Sequence, residues 1–373
     1  MKIGVITTSF PRFAGDPAGS FVGDHVAALR RLGHEVEIIA AGGPPRELDR
    51  DTEAEDRSVT RIASDLFYRG GAPDALERSL RSLPTALGFA ARLAVEVIRR
   101  ADAWDLIVAH WLAPSAFAAL PSRARLLAIA HGGDVHLLRR MRLLAPALYA
   151  LRARRARLAF VSHDLLELAR AAAPRLRTWL DTAAIVQPMG IDAARFAALG
   201  RAPVHPPTIL VAARLVPIKG VDVALDALAH LRAPARLVIA GDGPEREVLA
   251  ARATSVERDL ETVFLGSVDT HARDRLLREA SVVVVPSRVL SNGRTEGMPM
   301  IALEALATGV PLVASDVGGL RALATHALLV PPDQPLALAA AIDRVLLEPR
   351  GSAPFRVLDW PIVTERLLAH AHR

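Results

Sequence analysis

Two carboxylates, three glycine or proline breaks and the start of a helix crowd into one segment, Ser291-Asn292-Gly293-Arg294-Thr295-Glu296-Gly297-Met298-Pro299-Met300-Ile301-Ala302-Leu303-Glu304. Pro299 suits the first helical turn, which puts Gly297 and Met298 at the helix N-terminus. Free backbone N–H groups there, with the helix dipole, bind anions or hydroxyls. Glu296 lies just before that end and can accept two hydroxyls of a sugar. Glu304 lies about two turns inside, where it could reach a ribose. Two glutamates alone read as a helix-start carboxylate and a solvated helix residue. The glycines and proline around them are what point to a site.

A second cluster is Arg214-Leu215-Val216-Pro217-Ile218-Lys219-Gly220. Two cations on one loop can clamp a diphosphate and neutralise a leaving group, or they can be two surface basics. Lys2 and Lys219 are the only lysines in a chain that otherwise uses arginine, so the point charge of Lys219 stands out. Gly241-Asp242-Gly243-Pro244 allows a tight turn or close approach of backbone to a ligand. It lacks the full dinucleotide fingerprint, which argues against a nicotinamide enzyme. In the first half, His110-Trp111 and His131-Gly132-Gly133-Asp134 each follow an apolar run. A histidine there could hydrogen-bond a sugar or orient an acceptor, and singly each is more often structural. The loop 10–21, with Gly19 and Ser20 before a helix, reads as a turn or as a flap over a ligand. No close cluster has zinc spacing and no phosphate-loop motif occurs, so no metal ligands are predicted.

Elements that would gather these residues are legible in the hydropathy. Short β-type runs alternate with helical periodicity, the mark of parallel βαβ architecture. The pattern predicts strands over 2–7, 35–40, 106–109, 125–130, 158–161 and 184–186, with helices over 21–32 and 85–100. A three-proline linker at 201–207 follows. A second alternation predicts strands over 208–213, 236–240, 262–265, 282–285, 311–314 and 328–330. Its helices fall over 221–231, 244–252, 272–280, 299–308, 319–325 and 336–347. A break at 351–354 precedes a last helix over 361–370. The expected fold is α/β with two doubly wound sheets, and ligands in such sheets sit beyond the carboxyl ends of the strands. Two facing sheets would make a cleft.

Composition bounds the rest. The 373 residues are 51% hydrophobic, enough for two cores. The absence of cysteine excludes a disulfide scaffold and a thiolate nucleophile and fits a reducing compartment. The N-terminal apolar run is too short for a signal peptide, and no stretch reaches the length of a spanning helix. A cytoplasmic protein is therefore expected. Formal charge is +6, and aromatics are only 4%, which argues against nucleic acid as a partner. The basic charge is uneven: seven arginines and no acid lie between residues 135 and 163. The run from Arg139 to Arg157 reads as a contact for anionic lipid, at the inner membrane face, as a site for a lipid-diphosphate acceptor, or as a solvated helix face.

Taken in order, these segments resemble the family-four glycosyltransferases of the GT-B fold. The likeness runs through Gly33-His34-Glu35-Val36, His131-Gly132-Gly133-Asp134, Pro188-Met189-Gly190-Ile191-Asp192 with Phe196, the Arg214–Gly220 loop, Gly241-Asp242-Gly243-Pro244 and the Glu296/Glu304 pair. The resemblance implies an acceptor-side domain over 1–200, a nucleotide-sugar domain over 201–355, and a helix at 356–373 packing back on the first domain from Asp359-Trp360. It implies a retaining, metal-independent hexosyltransferase without a cofactor, its donor UDP- or GDP-linked and its acceptor a glycan, a lipid-linked glycan or a small molecule. It would assign Arg214 and Lys219 to the diphosphate, Glu304 to the ribose and Glu296 to the donor sugar. Gly241, Gly243 and the backbone of Gly297, Met298 and Pro299 would complete the donor site. His131 would contact the sugar near the reacting centre, with Gly19, Ser20, His110 and Asp134 as acceptor-side candidates. Many members carry a Gly-Gly pair where this chain has Gly19-Ser20. The rivals are a hydrolysing nucleotide-sugar epimerase of the same fold, which needs carboxylates on the first domain, and a non-catalytic basic nucleotide- or membrane-binding protein.

Overall fold

The computed structural model describes residues 1–373 apart from 14, 17, 44–55, 65, 68–82, 256–260 and 349–358. The expected break at 351–354 lies outside the described residues. The chain divides into two compact units, one made of Met1–Gly190 with Trp360–Arg373, the other of Ile191–Asp359.

The first unit runs β1 (Lys2–Thr7), α1 (Ser20–Arg31), β2 (Glu35–Ala41), β3 (Val59–Ile62), α2 (Leu83–Arg100), β4 (Leu106–His110) and β5 (Arg125–Ala130). It continues with α3 (Gly133–Arg140), α4 (Leu144–Ala153), β6 (Arg157–Phe160), α5 (His163–Ala172), α6 (Arg177–Ala183) and β7 (Ala184–Val186). The strands form one sheet in the order β3-β2-β1-β4-β5-β6-β7. Every pairing in it is parallel. A parallel sheet is covered on both faces, so its strands are near-continuous apolar runs. Ile3, Val5, Ile6, Leu106, Ile107, Ala128 and Ile129 are accordingly buried.

The second unit runs α7 (Ala193–Leu199), β8 (Thr208–Ala212), α8 (Val221–Leu228), β9 (Arg236–Ala240), α9 (Arg246–Ser255), β10 (Thr262–Gly266), α10 (Thr270–Glu279) and β11 (Val282–Val285). Then come α11 (Met300–Thr308), β12 (Leu312–Ser315), β13 (Leu328–Val330) and α12 (Pro335–Leu347). Its parallel sheet has the order β10-β9-β8-β11-β12-β13. Two layers of apolar side chains cover its faces, one centred on Leu225, Leu237 and Val284, the other on Leu210, Val283 and Ala302.

The last helix, α13 (Trp360–His372), belongs to the first unit and packs on α1, β5 and β6. Trp360 is fully buried. The His370 ring reaches the carbonyls of Leu158 and Ala183 at 3.1 and 3.0 Å.

Several details differ from the sequence reading. The units divide at Gly190/Ile191 and Asp359/Trp360 rather than at 200/201 and 355/356. Ile191 and Phe196 are buried in the core of the second unit, and the Asp192 side chain caps α7 by accepting from the Arg195 N–H at 3.0 Å. Pro299 is the extended residue before α11 rather than its first helical residue, at φ −65° and ψ 124°. Strand β3 and the crossover helices α3 to α7 were not read from the sequence, and the expected helix over 319–325 is a 3-10 segment, Gly318–Leu323.

Candidate active site

In each sheet the strand order reverses at one place, between β1 and β4 and between β8 and β11. A crevice opens at the carboxyl ends of such strands. The residues singled out from the sequence lie on the loops leaving these strands and their neighbours β5 and β9.

In the second unit four loops are joined through their backbones. The loop after β8 holds Arg214, then a 3-10 turn over Pro217–Lys219, then Gly220 at φ 60°, which starts α8. A Cβ on Gly220 would lie 2.0 Å from the Pro286 carbonyl oxygen, so only glycine lets this loop touch the one after β11. The Arg288 N–H donates to the Ile218 carbonyl at 3.0 Å and closes the same junction. Gly241 and Gly243, after β9, bring their loop against Ala213 and Leu215, and the Leu215 N–H donates to the Asp242 carbonyl at 2.9 Å. From the loop after β12, the Gly319 N–H donates to the Glu296 carbonyl at 3.2 Å.

This scaffold gathers charge. The Lys219 ammonium is 2.9 Å from the Glu296 carboxylate, and both side chains are largely covered. Burial, and then the positive charge of Arg294, lower the Arg214 guanidinium to about 10, with Glu296 acting the other way. Arg214 is therefore still a cation at neutral pH, and Arg294 is itself buried. The N–H groups of Gly297 and Met298 have no hydrogen-bond acceptor among the described residues. Glu304, the second residue of the pair, is buried on α11 and takes an ion pair from Arg273 of α10 at 3.0 Å. That overturns its reading as a solvated helix residue. Arg273 and Arg294 escaped the sequence reading. Arg294 stands inside the segment read for its glutamates, whereas nothing local ties Arg273 to Glu304.

In the first unit three histidines form a chain. His25 Nδ1 lies 3.1 Å from His110 Nε2, and His110 Nδ1 lies 3.0 Å from His131 Nε2. The His110 and His131 rings are stacked, and His25 is stacked on Trp360 with centroids 5.2 Å apart and planes 9° apart. Phe21 and Trp111 border His131. Burial holds His25 at about 4 and His131 at about 3, and drives His110 well below the usual imidazole value. All three are neutral near pH 7. Each neutral ring has one N–H, so the two bonds must run in the same direction along the chain. That direction decides whether Nδ1 of His131 is a donor or an acceptor. His25 was missed in the sequence. Its signal is a polar residue on the buried stripe of α1, among Val22, Val26, Ala28 and Leu29.

The other acceptor-side candidates fare differently. Asp134 is buried, and its carboxylate accepts the N–H groups of Leu112 at 2.6 Å, Gly132 at 3.0 Å and His131 at 3.2 Å. It is a clamp joining the loops after β4 and β5, not an acceptor contact. His110 is fully buried between His25 and His131. Gly19 caps α1 at φ 70°, where a Cβ would meet the Ser9 carbonyl at 2.4 Å, and Ser20 opens the helix half-buried. The arginine run is split: Arg139, Arg140 and Arg142 are exposed at the end of α3, while Arg152 to Arg157 run from the last turn of α4 to the first residue of β6. No helix among the described residues is long and apolar enough to cross a membrane.

A model of group 1 glycosyl transferases matches residues 197–356, and a model of glycosyltransferase family 4 matches residues 18–184. The glycosyltransferase TuaC of Bacillus subtilis, named for teichuronic acid biosynthesis, is 29% identical over 374 residues, covering 92% of this chain and 89% of that protein. An uncharacterized glycosyltransferase of Methanocaldococcus jannaschii is 36% identical over 143 residues, 37% of this chain, and the match spans only 35% of that protein's length. Among solved structures, Anabaena HepE in complex with UDP-glucose has a TM-score of 0.71 at 17% identity, covering 99% of this chain and 98% of that one. At that identity the likeness is one of fold. Fold and matches place the chain among the glycosyltransferases, enzymes that move a sugar from an activated donor. Within that class it belongs to the family-4 type, with the paired Rossmann-like domains of the GT-B architecture.

Proposed function

We propose that the protein moves a hexose-type sugar from a nucleoside diphosphate sugar to a glycan, lipid-linked or small-molecule acceptor, with retention at the anomeric carbon and without a metal ion. The observation that carries the reading is the charge at the β8/β11 switch point. Arg214, Lys219 and Arg294 stand near Glu296, which pairs with Lys219, and the Arg214 and Arg294 guanidiniums repel one another. A diphosphate would relieve that repulsion and would accept from guanidinium and ammonium together.

In this reading Arg214 and Lys219 hold the diphosphate, Glu304, steadied by Arg273, takes the ribose, and Glu296 takes hydroxyls of the donor sugar. The N–H groups of Gly297 and Met298 serve the same donor. The bond from the anomeric carbon to the phosphate oxygen breaks as the acceptor oxygen bonds on the same face. The acceptor proton leaves with the diphosphate, whose growing charge the cations stabilise. His131, neutral and fixed by His110, contacts the sugar through a ring nitrogen. HepE was crystallised with UDP-glucose, which supports a UDP-linked donor, and the TuaC name supports an acceptor in polysaccharide synthesis.

The test is a thermal-shift screen of the metal-free protein against UDP, GDP, ADP and their sugar conjugates, followed by turnover with the donor it selects. Lys219→Ala and Glu296→Ala should each lose about a hundredfold or more in rate while keeping the fold. Near-wild-type turnover in both would remove the proposed site. Turnover abolished by chelators, or a product of inverted anomeric configuration, would remove the metal-independent or the retaining part alone.

A further inference from the structure

At the opposite end of the first sheet, where β5 and β6 begin, a recess of about 670 Å³ is lined by Arg373 of the last helix's end and by six arginines around β5 and β6: Arg123, Arg125, Arg152, Arg154, Arg155 and Arg157. No aspartate or glutamate lines it. Arg125 and Arg157 are the first residues of β5 and β6. Along β5 the recess is separated from His131 by roughly 20 Å of strand. It is therefore distinct from the histidine chain.

The six guanidiniums are not simply the overflow of an arginine-rich composition. Elsewhere in the unit, arginines find acids: Arg30 pairs with Asp56, Arg99 and Arg100 with Glu96, and Arg170 with Glu167 and Asp181. None of the six in the recess has a carboxylate partner among the described residues. Three are instead aimed by groups that carry no negative charge. Arg154 donates to the Ala124 carbonyl and to the Ser122 hydroxyl, Arg157 donates to the Thr182 carbonyl at 2.9 Å, and Arg125 donates to the His372 ring. Those bonds fix guanidinium positions without offsetting any charge. Like charges held together in one concave site raise its potential and concentrate anions there. Guanidinium forks match phosphate oxygens two at a time. Trp179 and Thr182, on the same wall, add an aromatic surface and a hydroxyl.

We propose that this recess binds a multiply charged phosphate, a diphosphate or a cluster of phosphomonoesters, either free in solution or as the headgroup of a lipid. A singly charged anion leaves most of the guanidinium charge unmatched, so affinity rises with the charge of the ligand.

The experiment measures binding of inorganic phosphate and pyrophosphate to the whole protein by calorimetry, in low salt and with saturating UDP to occupy the donor site. In parallel, the protein is sedimented with vesicles of phosphatidylcholine containing phosphatidic acid, and with phosphatidylcholine alone. Arg123→Ala with Arg152→Ala removes two exposed arginines whose side chains make no internal hydrogen bond among the described residues. Pyrophosphate should bind more tightly than phosphate, and the double variant should weaken it by about tenfold per arginine removed. Its thermal response to UDP should be unchanged, which separates a lost recess from a lost fold or a lost donor site. Capture only by phosphatidic acid vesicles, lost in the variant, assigns the ligand to a lipid headgroup. Binding of pyrophosphate assigns it to a soluble phosphate. Absence of both, or equal binding by the wild type and the variant, overturns the proposal.

Discussion

Acidifying the protein from about pH 7 to about pH 5 should remove a large part of the stability of the first unit, because its two most buried histidines do not take up a proton. His25 is 1% exposed and His110 is 0% exposed. Burial, the main cause, lowers His25 to about 4 and His110 well below the usual value. In the unfolded chain both titrate near the ordinary value of about 6.5. Above that pH neither state is protonated and the fold bears no cost. As the pH falls below it, the unfolded chain binds protons that the folded one refuses. His25 then removes about 1.4 kcal/mol per pH unit, or about 2 kcal/mol by pH 5, and His110 adds a loss of the same sign. The loss from His25 stops growing once the pH passes its folded value of about 4. Burial raises Asp134, so its folded carboxyl takes up a proton before the unfolded one does as the pH falls, which opposes the loss.

Against a domain stability of about 5–15 kcal/mol, such a change is readily measured by denaturant unfolding followed through tryptophan fluorescence. The informative comparison is with His25→Gln, which keeps a polar side chain and does not titrate. Every other ionisable group is common to both proteins, so the difference isolates one histidine. The variant should lose about 2 kcal/mol less than the wild type over the same interval. Equal losses, or a wild type as stable at pH 5 as at pH 7, would refute the claim that the histidine chain is neutral and sealed.

Three further outcomes follow from the geometry. Trp360→Ala removes a fully buried indole stacked on His25 and should cost about 3–5 kcal/mol in denaturation. It should also let a histidine resonance titrate nearer to 6.5 in NMR spectra. Gly220→Ala places a methyl 2.0 Å from the Pro286 carbonyl at a positive φ, so the donor-induced thermal shift should vanish while far-ultraviolet dichroism is kept. Asp134→Ala leaves three backbone N–H groups without their carboxylate and should cost about 3 kcal/mol or more, whereas Asp134→Asn should recover part of it, both read from unfolding curves.

What could be read from the sequence is what depends on local pattern. Val282–Val285 reads as a strand because a parallel sheet buries both faces and leaves an unbroken apolar run. The loops after β8, β9 and β11 could be found because their cations, glycines and glutamates are close in sequence. β3 was not legible, being a four-residue edge strand, Val59-Thr60-Arg61-Ile62, with three half-buried positions and no alternation. Long-range pairings were equally hidden. His25 and His110 stand 85 positions apart, and nothing in either neighbourhood names the other. Asp134 looked available because sequence does not show which backbone amides a buried carboxylate will meet. For Glu304 the sequence offers both a ribose contact and a solvated face, because a helical period cannot tell a face packed on α10 from one in water.

The return of Trp360–Arg373 to the first unit has a consequence for biosynthesis. In sequence the second unit is an insertion into the first, and its own ends lie side by side, with Ile191 bridged to Asp359. Domains emerging from a ribosome ordinarily fold in order from the N-terminus. Here residues 191–359 are complete while the earlier-made unit still lacks the helix that covers His25. The nascent protein therefore carries an open apolar groove on α1 until its last helix is made, and that interval is when chaperones and proteases would meet it.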